Sequence, residues 1–324
     1  MMDIGALAGK QFIVIGRAGM DLYPEPVGCA IEDALSYRSA LGGSSANICV
    51  ALQRQGCSTA LVTSVSDDAV GRYCLGQLEH YGIDRQYVRS VAGEFRNSLA
   101  LSECRLEKHQ TVIYRNGAAD FQMTVEDIKT IDFSPYNALI TTGTVLAAEP
   151  SRSAAMYAFE QARKAGIALI FDVDYRPYSW RSAEEAAEVY SKAAGLCDII
   201  IGNDTEFGFM AGSVDHGLDK ARELAISTAS VVIYKMGEHG SITLTTSGEQ
   251  KTGIFPVEAM KPVGAGDSFM GGFIASLANG HDMNDAVIRG SACAAMVVTR
   301  VGCAPAMPTL SELDAFLHEH QQEE

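Results

Sequence analysis

The chain has 324 residues, 47% hydrophobic and 20% charged, enough to bury one large α/β core with room for a small appendage. Forty Asp and Glu against 25 Lys and Arg give a net charge of −15, which argues against nucleic acid or an anionic membrane as the main partner, although a locally basic pocket stays open to an anionic substrate. No apolar run reaches the roughly 18 residues of a membrane span. Met1 to Lys10 lack the basic start and apolar centre of a secretory leader, and the eight cysteines are scattered with no Cys-x-x-Cys pair or zinc spacing, so a cytoplasmic protein with reduced thiols is expected.

In chain order, Phe12-Ile13-Val14-Ile15-Gly16 reads as a buried strand, and residues from about Ser45 to Gln55 as a helix stopped by Gly56. A strand over Thr59 to Val65 and a helix over Val70 to Tyr81 follow. The alternation returns with strands at Ala138 to Thr142, Ala168 to Val173 and Asp198 to Ile201, separated by helices at Ser151 to Ala165 and Ala183 to Ala194. Val231 to Pro256 reads as three strands. Gly264 to Leu277, Asp285 to Thr299 and a final segment to about His318 read as helices. Such alternation predicts an α/β fold, with a doubly wound, mainly parallel sheet and helices on both faces. Two stretches break the rhythm. Arg17 to Leu41 has no helical period, and Phe95 to Met123 holds a hairpin pattern turning at Glu107-Lys108-His109. They read either as a small β-sheet lid over the main domain or as two separate surface excursions. On the first reading the core comprises residues 10–16, 42–94 and 124–320, and the lid residues 17–41 and 95–123.

Val263-Gly264-Ala265-Gly266-Asp267-Ser268 follows an extended segment and opens a helix. Small residues let backbone N–H groups converge, and the helix N-terminus adds a positive end, so the turn suits an anion. Asp267, in the first turn, is placed to take a proton from an attacking hydroxyl. The plainer reading is a Gly-rich turn with an Asp stabilising a helix start. Gly42-Gly43-Ser44-Ser45-Ala46-Asn47 is a second Gly pair before a helix, with Asn47 offering a donor and an acceptor to a hydroxyl; a Ser-capped loop is its plainer reading. Asp21 lies past the carboxyl end of the first strand, where open α/β sheets bind ligands, although a solvated loop Asp is commoner.

The joint occurrence and order of these elements carry more than any one of them. Asp21, the Gly-Gly-x-x-x-Asn run, Asn203-Asp204-Thr205-Glu206 and the late Gly-Ala-Gly-Asp together resemble the ribokinase (PfkB) family of carbohydrate kinases from about Phe12 to Leu317. No Walker sequence and no His-Arg-Asp kinase loop is present. Gly16-Arg17-Ala18-Gly19 lacks the Gly-x-Gly-x-x-Gly spacing of a dinucleotide-binding dehydrogenase. Gly16 to Tyr23, Tyr114-Arg115-Asn116, Asp172 to Pro177 with Trp180, and Lys261-Pro262 look like the branch that phosphorylates 5-dehydro-2-deoxygluconate to its 6-phosphate in inositol breakdown. Kinases of 2-keto-3-deoxygluconate or fructose are the alternatives within the family, and a non-catalytic sugar-binding regulatory protein is the alternative outside its chemistry.

The resemblance implies a ribokinase-like fold, ATP and Mg²⁺ as cofactors and a small sugar or sugar acid as partner, with a homodimer formed through the lid. It implies Asp267 as general base, Gly264, Ala265 and Gly266 as the anion hole, and Asp21, Gly42, Gly43 and Asn47 around the sugar. Asn203 and Glu206 then lie near Mg²⁺ and the phosphates, with Glu206 reaching the metal through water. Lys235, Gly237 and Gly240 lie beside the nucleotide, and the Ala292 to Ala295 helix borders the adenine. A sugar carboxylate calls for a guanidinium. Arg17, Arg38, Arg96, Arg115 and Arg176 are candidates, with Arg115 and Arg176 favoured because they sit inside the resembling motifs. Where many ribokinases carry Asp-Thr, whose Asp helps hold a monovalent cation, this chain has Lys261-Pro262. The expectation is that the Lys261 ammonium makes such a cation unnecessary; an exposed lysine without a role is the plainer reading.

Overall fold

The computed structural model describes residue 7 and residues 9–321. In chain order it contains β1 (Gln11–Ile15), β2 (Gly19–Glu25), β3 (Ser36–Gly42), α1 (Ser44–Arg54), β4 (Ser58–Ser66), α2 (Ala69–His80), β5 (Val88–Val91), β6 (Leu99–Ser102), β7 (Thr111–Tyr114) and α3 (Val125–Lys129). There follow β8 (Ala138–Thr142), α4 (Ser151–Ala165), β9 (Ala168–Asp172), α5 (Ala183–Ala194), β10 (Ile199–Asn203), α6 (Asp204–Ala211), α7 (Gly217–Ser227), β11 (Val231–Lys235), β12 (Ser241–Thr245), β13 (Gly248–Thr252), α8 (Ala265–Ala278), α9 (Met283–Val298) and α10 (Leu310–Gln321).

Nine strands form the main sheet in the order β13-β12-β11-β10-β9-β8-β1-β4-β5. The pairs from β11 to β5 are parallel, and β12 and β13 extend the edge antiparallel. The central strands are continuous apolar runs because both faces are covered. Along β1, Phe12 and Val14 enter one hydrophobic layer with residues of α1, α2, α8 and α9, while Ile13 and Ile15 enter the opposite layer with residues of α4, α5 and α7. The parallel strands all point their carboxyl ends the same way, so the loops after β1, β9, β10 and β11 gather on one rim.

A second sheet, of order β3-β2-β6-β7, is built from the two segments that broke the α/β rhythm. Its β2–β3 and β6–β7 pairs are antiparallel, and β2 and β6 join them in parallel register through Met20–Leu99, Asp21–Ala100 and Leu22–Leu101. That long-range pairing makes one sheet of two excursions. Asn97 ties it to the core: its side chain accepts from the Ser66 N–H (2.6 Å) and donates to the Ala18 carbonyl (3.2 Å). Glu103, fully buried, gathers the hairpin by accepting from Arg105, from the Ile31 N–H (3.0 Å) and from the Gln110 N–H (2.9 Å).

Candidate active site

A cleft of about 1120 Å³ lies between the rim of the main sheet and the second sheet. One arm is apolar, with Ile254, Phe255, Val257, Ala294, Ala295 and Val298 along it. The polar arm holds Arg17, Asp21, Asn47, Asp174 and Arg176, and Ala100, Ser102, Thr111 and Ile113 of the second sheet face it. The turn Gly264-Ala265-Gly266-Asp267 also lines the cleft, with Asn203, Glu206, Lys235, Gly237, Gly240 and Lys261.

Two helix starts, those of α1 and α8, meet in the cleft. Gly264 precedes α8 with φ +92°, a left-handed conformation that turns the following amides toward the cleft at low cost only in glycine. Asp267 sits in the first turn of α8. Its Oδ2 accepts from Asn47 Nδ2 of α1 at 2.8 Å. One turn on, a Cβ on Gly271 would collide with the Ala51 methyl group, so the bare glycine lets the two helices approach closely enough for that hydrogen bond. Asn47 Oδ1 is buried without a partner among the described residues and is available to a ligand donor.

Burial above all, and then the neighbouring Asp174 carboxylate, raise the Asp267 carboxyl to about 7, against the opposing pull of Asn47, Arg176 and Lys235. The charges around it form a mixed cluster. Burial lifts Asp172 well above the usual carboxylate range and raises Glu206, with Lys235 opposing in both cases. Burial also acts on Asp174, but the Arg176 guanidinium, 2.6 Å away, holds that carboxylate low. Asp174 adopts φ +38°, unusual outside glycine, which places its carboxylate beside Arg176 after β9. A Cβ built on Gly266 would lie 3.4 Å from Lys235 Nζ, so this ammonium stands over the Gly-rich turn.

The sequence motifs acquire specific jobs. Asn203 caps α6 by accepting from the Glu206 N–H (2.9 Å), and Glu206 returns the bond to the Asn203 N–H (2.8 Å), a capping box. The other Glu206 oxygen accepts from the Tyr175 N–H at 3.1 Å. Both carboxylate oxygens are therefore engaged by backbone donors, an arrangement that suits a metal reached through water. No cluster of three or more His, Cys, Asp or Glu side chains able to hold a metal ion directly occurs among the described residues. Asp21 lies within β2 of the second sheet rather than in a loop after β1; it is buried, its Oδ2 accepts from Tyr23 OH (3.0 Å), and Tyr23 accepts from the Cys303 N–H (3.1 Å), which ties β2 to the loop after α9. Gly42 does not line the cleft; a Cβ there would overlap the Asp21 carboxylate, so its part is to make room.

Lys261 is 0% exposed, which removes the reading of a surface lysine. Its Nζ donates to the carbonyls of Val263 (2.6 Å) and Val297 (3.1 Å), beside the anion turn. Burial lowers its pKa, while Asp267 and Asp21 are among the groups that favour its charge. Arg115 does not line the cleft. It is buried, its Nε donates to Asp120 (3.1 Å), and its guanidinium lies over the Phe121 ring, so its hydrogen-bonding edge is committed within the protein. Arg38 pairs with Glu25 on the surface, and the exposed Arg96 lies 3.8 Å from Asp68. Sequence reasoning gave no role to Asp172, Asp174, Tyr23, Tyr178 or Cys303. For the first two a signal was present, since both acids close a predicted strand at its carboxyl end. Tyr23 and Cys303 meet only through the tertiary fold.

Residues 10–310 match the sequence pattern of the pfkB family carbohydrate kinases. A protein of Photobacterium profundum named 5-dehydro-2-deoxygluconokinase is 39% identical over 317 residues, 96% of this chain and 96% of that protein. One of the same name from Geobacillus kaustophilus is 36% identical over 316 residues, 96% of this chain and 94% of its own. Aminoimidazole riboside kinase from Salmonella enterica, solved with aminoimidazole riboside and an ATP analog, superposes with a TM-score of 0.80 at 25% identity, covering 95% of this chain and 99% of that one. Fructokinase from Vibrio cholerae O395, solved in fructose, ADP and calcium ion bound form, gives 0.85 at 26% identity, covering 96% and 99%.

Proposed function

The chain belongs to the PfkB family of carbohydrate kinases, and we propose that it transfers the γ-phosphoryl group of ATP to the terminal hydroxyl of 5-dehydro-2-deoxygluconate. The observation that carries this reading is Asp267, which lines the cleft, is held by Asn47 and stands in the first turn of the helix that opens at Gly264. The apolar arm along α9 takes the adenine. Asp21, Gly43, Asn47 and Arg176 hold the sugar acid. Asp267 accepts the hydroxyl proton as the new P–O bond forms and the bond to ADP breaks, while the amides of Gly264, Ala265 and Gly266 and the Lys235 ammonium receive the charge on the transferring group. Asn203, Gly237 and Gly240 border the phosphates. Bound Mg²⁺ would neutralise phosphate charge, and Glu206 would hold it through water.

Lys261 takes the place of a monovalent cation in this proposal. Its ammonium occupies a carbonyl cradle next to the anion turn and carries the same single charge. Residues 17–41 and 95–123 act as a lid that closes over the sugar, on a core of residues 10–16, 42–94 and 124–320. Val112 and Tyr114 stand exposed on β7, at the edge of the second sheet, and we assign a second copy of the chain to that face. A cytoplasmic location accords with eight unpaired cysteines, seven of them buried. No helix among the described residues is long and apolar enough to cross a membrane.

The test is ADP release with MgATP and a panel of 5-dehydro-2-deoxygluconate, 2-keto-3-deoxygluconate, fructose and ribose. The highest kcat/KM should fall on the first. A preference for a neutral sugar would overturn the substrate, and binding without turnover of any acceptor would favour a regulatory protein.

A further inference from the structure

Arg17 is 7% exposed and lines the polar arm of the cleft, yet it has no carboxylate within 4.0 Å among the described residues. Two other arginines at or beside the cleft are neutralised at contact distance, the buried Arg115 by Asp120 and the half-exposed Arg176 by Asp174. Among the described residues, the one hydrogen bond of the Arg17 side chain is a long one, from Nη1 to Ser98 Oγ at 3.4 Å, and its Nε is buried with no acceptor. In a planar guanidinium Nε and Nη2 share one edge, the edge that grips a carboxylate through two parallel bonds. Ser98 holds the other side, so the acceptor-free edge is the bidentate one.

A buried cation without a contact partner is strongly unfavourable. Asp21 and Asp174 feel the Arg17 charge only at longer range, and each is already bonded elsewhere, Asp21 to Tyr23 and Asp174 to Arg176. Arg17 is held against Ser98 on the second-sheet side of the cleft and is the first charge acting on Asp21, and it is not among the leading charges acting on Asp267. An acceptor molecule with its reacting hydroxyl at Asp267 would therefore present its far end to Arg17. We propose that Arg17 is the specificity-determining residue that receives the substrate carboxylate. The inference rests on the sugar-acid reading above and adds to it the group that tells an acid from a neutral sugar.

The experiment compares wild type, Arg17→Met and Arg17→Lys on 5-dehydro-2-deoxygluconate and on its C1 amide, which keeps the shape and drops the charge. Arg17→Met should lose about ten- to a hundredfold in kcat/KM on the acid, mostly through KM, as expected for one charge-assisted bidentate contact. Its loss on the amide should be at least about tenfold smaller by the same reasoning. Arg17→Lys keeps the charge without the fork and should fall between the two, on the acid only. Because the native guanidinium is unpaired, Arg17→Met should melt at or above the wild-type temperature. A fixed structural counter-ion for Asp21 and Asp174 would instead give a lower melting temperature and equal losses on both substrates, and that result overturns the proposal. If Arg17→Met does not fold, equal losses on acid and amide in Arg17→Lys overturn it in the same way. A wild-type enzyme that prefers acid to amide, with the preference intact in Arg17→Met, defeats the role of Arg17 and leaves the proposed reaction standing. A wild-type enzyme indifferent to the carboxylate defeats both.

Discussion

Replacing Asp267 by Asn should make the protein slower and more stable at once, with the gain confined to one pH range. The carboxyl titrates near 7 in the folded chain instead of its ordinary 3.8. Between those values the native state keeps a proton that the unfolded chain has released, so this group's contribution to stability falls as the pH rises through the window and is at its most unfavourable above 7. At about 1.4 kcal/mol per tenfold change in proton affinity, the full displacement corresponds to about 4 kcal/mol. Water in the open cleft screens part of it, and about 2 kcal/mol is the figure to test. In a chain of this size that is a rise in Tm of roughly 3 °C at pH 8.5. At pH 5 the gain should shrink to about a third, because most of the wild-type carboxyl is then protonated in the native state. Asn retains an oxygen that accepts from Asn47, so the local geometry survives. Turnover should fall by at least ~100-fold through loss of the base. Melting curves at the two pH values and steady-state rates at pH 8.5 decide the matter. A Tm gain of equal size at both pH values, or near-normal turnover, would refute the reasoning.

Further outcomes follow from the same geometry. Turnover should be nearly equal in sodium, potassium and tetramethylammonium salts at matched ionic strength, and Lys261→Ala should lose activity in potassium-free buffer; strong potassium activation of the wild type would show that a separate ion is required. Segments 17–41 and 95–123 should gain amide-exchange protection when the sugar acid binds, and unchanged exchange at saturation would remove the lid. Gly271→Ala should separate α1 from α8, lengthen the Asn47–Asp267 contact and lower kcat by more than tenfold, on the order of the lost positioning of the base; full activity in a stable variant would show that the close helix approach is incidental. Tyr114→Asp should shift light-scattering mass from two copies to one if β7 carries the dimer, and a wild-type monomer at micromolar concentration would dispose of that interface.

Much of the main sheet was legible because local chemistry and tertiary role coincide there. The strand at Ala138–Thr142 and the helices at Ser151–Ala165 and Ala183–Ala194 stand where periodicity placed them. Buried parallel strands must be apolar throughout, and surface helices must show a 3.6-residue stripe, whatever the rest of the chain does. The segment Asp204–Ser227 was not divided into α6 and α7, since its helices are short and turn at Gly212 rather than alternating with strands. β5 was missed because Val88-Arg89-Ser90-Val91 is too short for a period to register. The parallel joining of β2 to β6 has no local cause, unlike the hairpin by which β13 extends the edge after β12. The β2–β6 pairing follows from contacts between residues far apart in the chain, Met20 with Leu99 and Leu22 with Leu101.

The same division runs through the site. Residue type and spacing determined that a Gly-rich turn, a carboxylate and a helix start would stand together at Gly264 to Asp267, because a glycine turn that opens a helix is a local backbone structure. Asn203 and Lys235 end strands on one rim of the main sheet, whereas Asp21, expected in a loop after the first strand, stands within β2 of the second sheet. Which arginine stays uncompensated was decided only by the tertiary structure. Arg115, favoured with Arg176 from the motifs, finds Asp120 five residues on, while Arg17 is buried against Ser98 with no carboxylate at contact distance among the described residues. Lys261 likewise became a buried ammonium only when the carbonyls of Val263 and Val297 closed around it from α9 and the preceding turn. Charge is written in the sequence, but its neutralisation depends on distances between groups that the fold alone brings together.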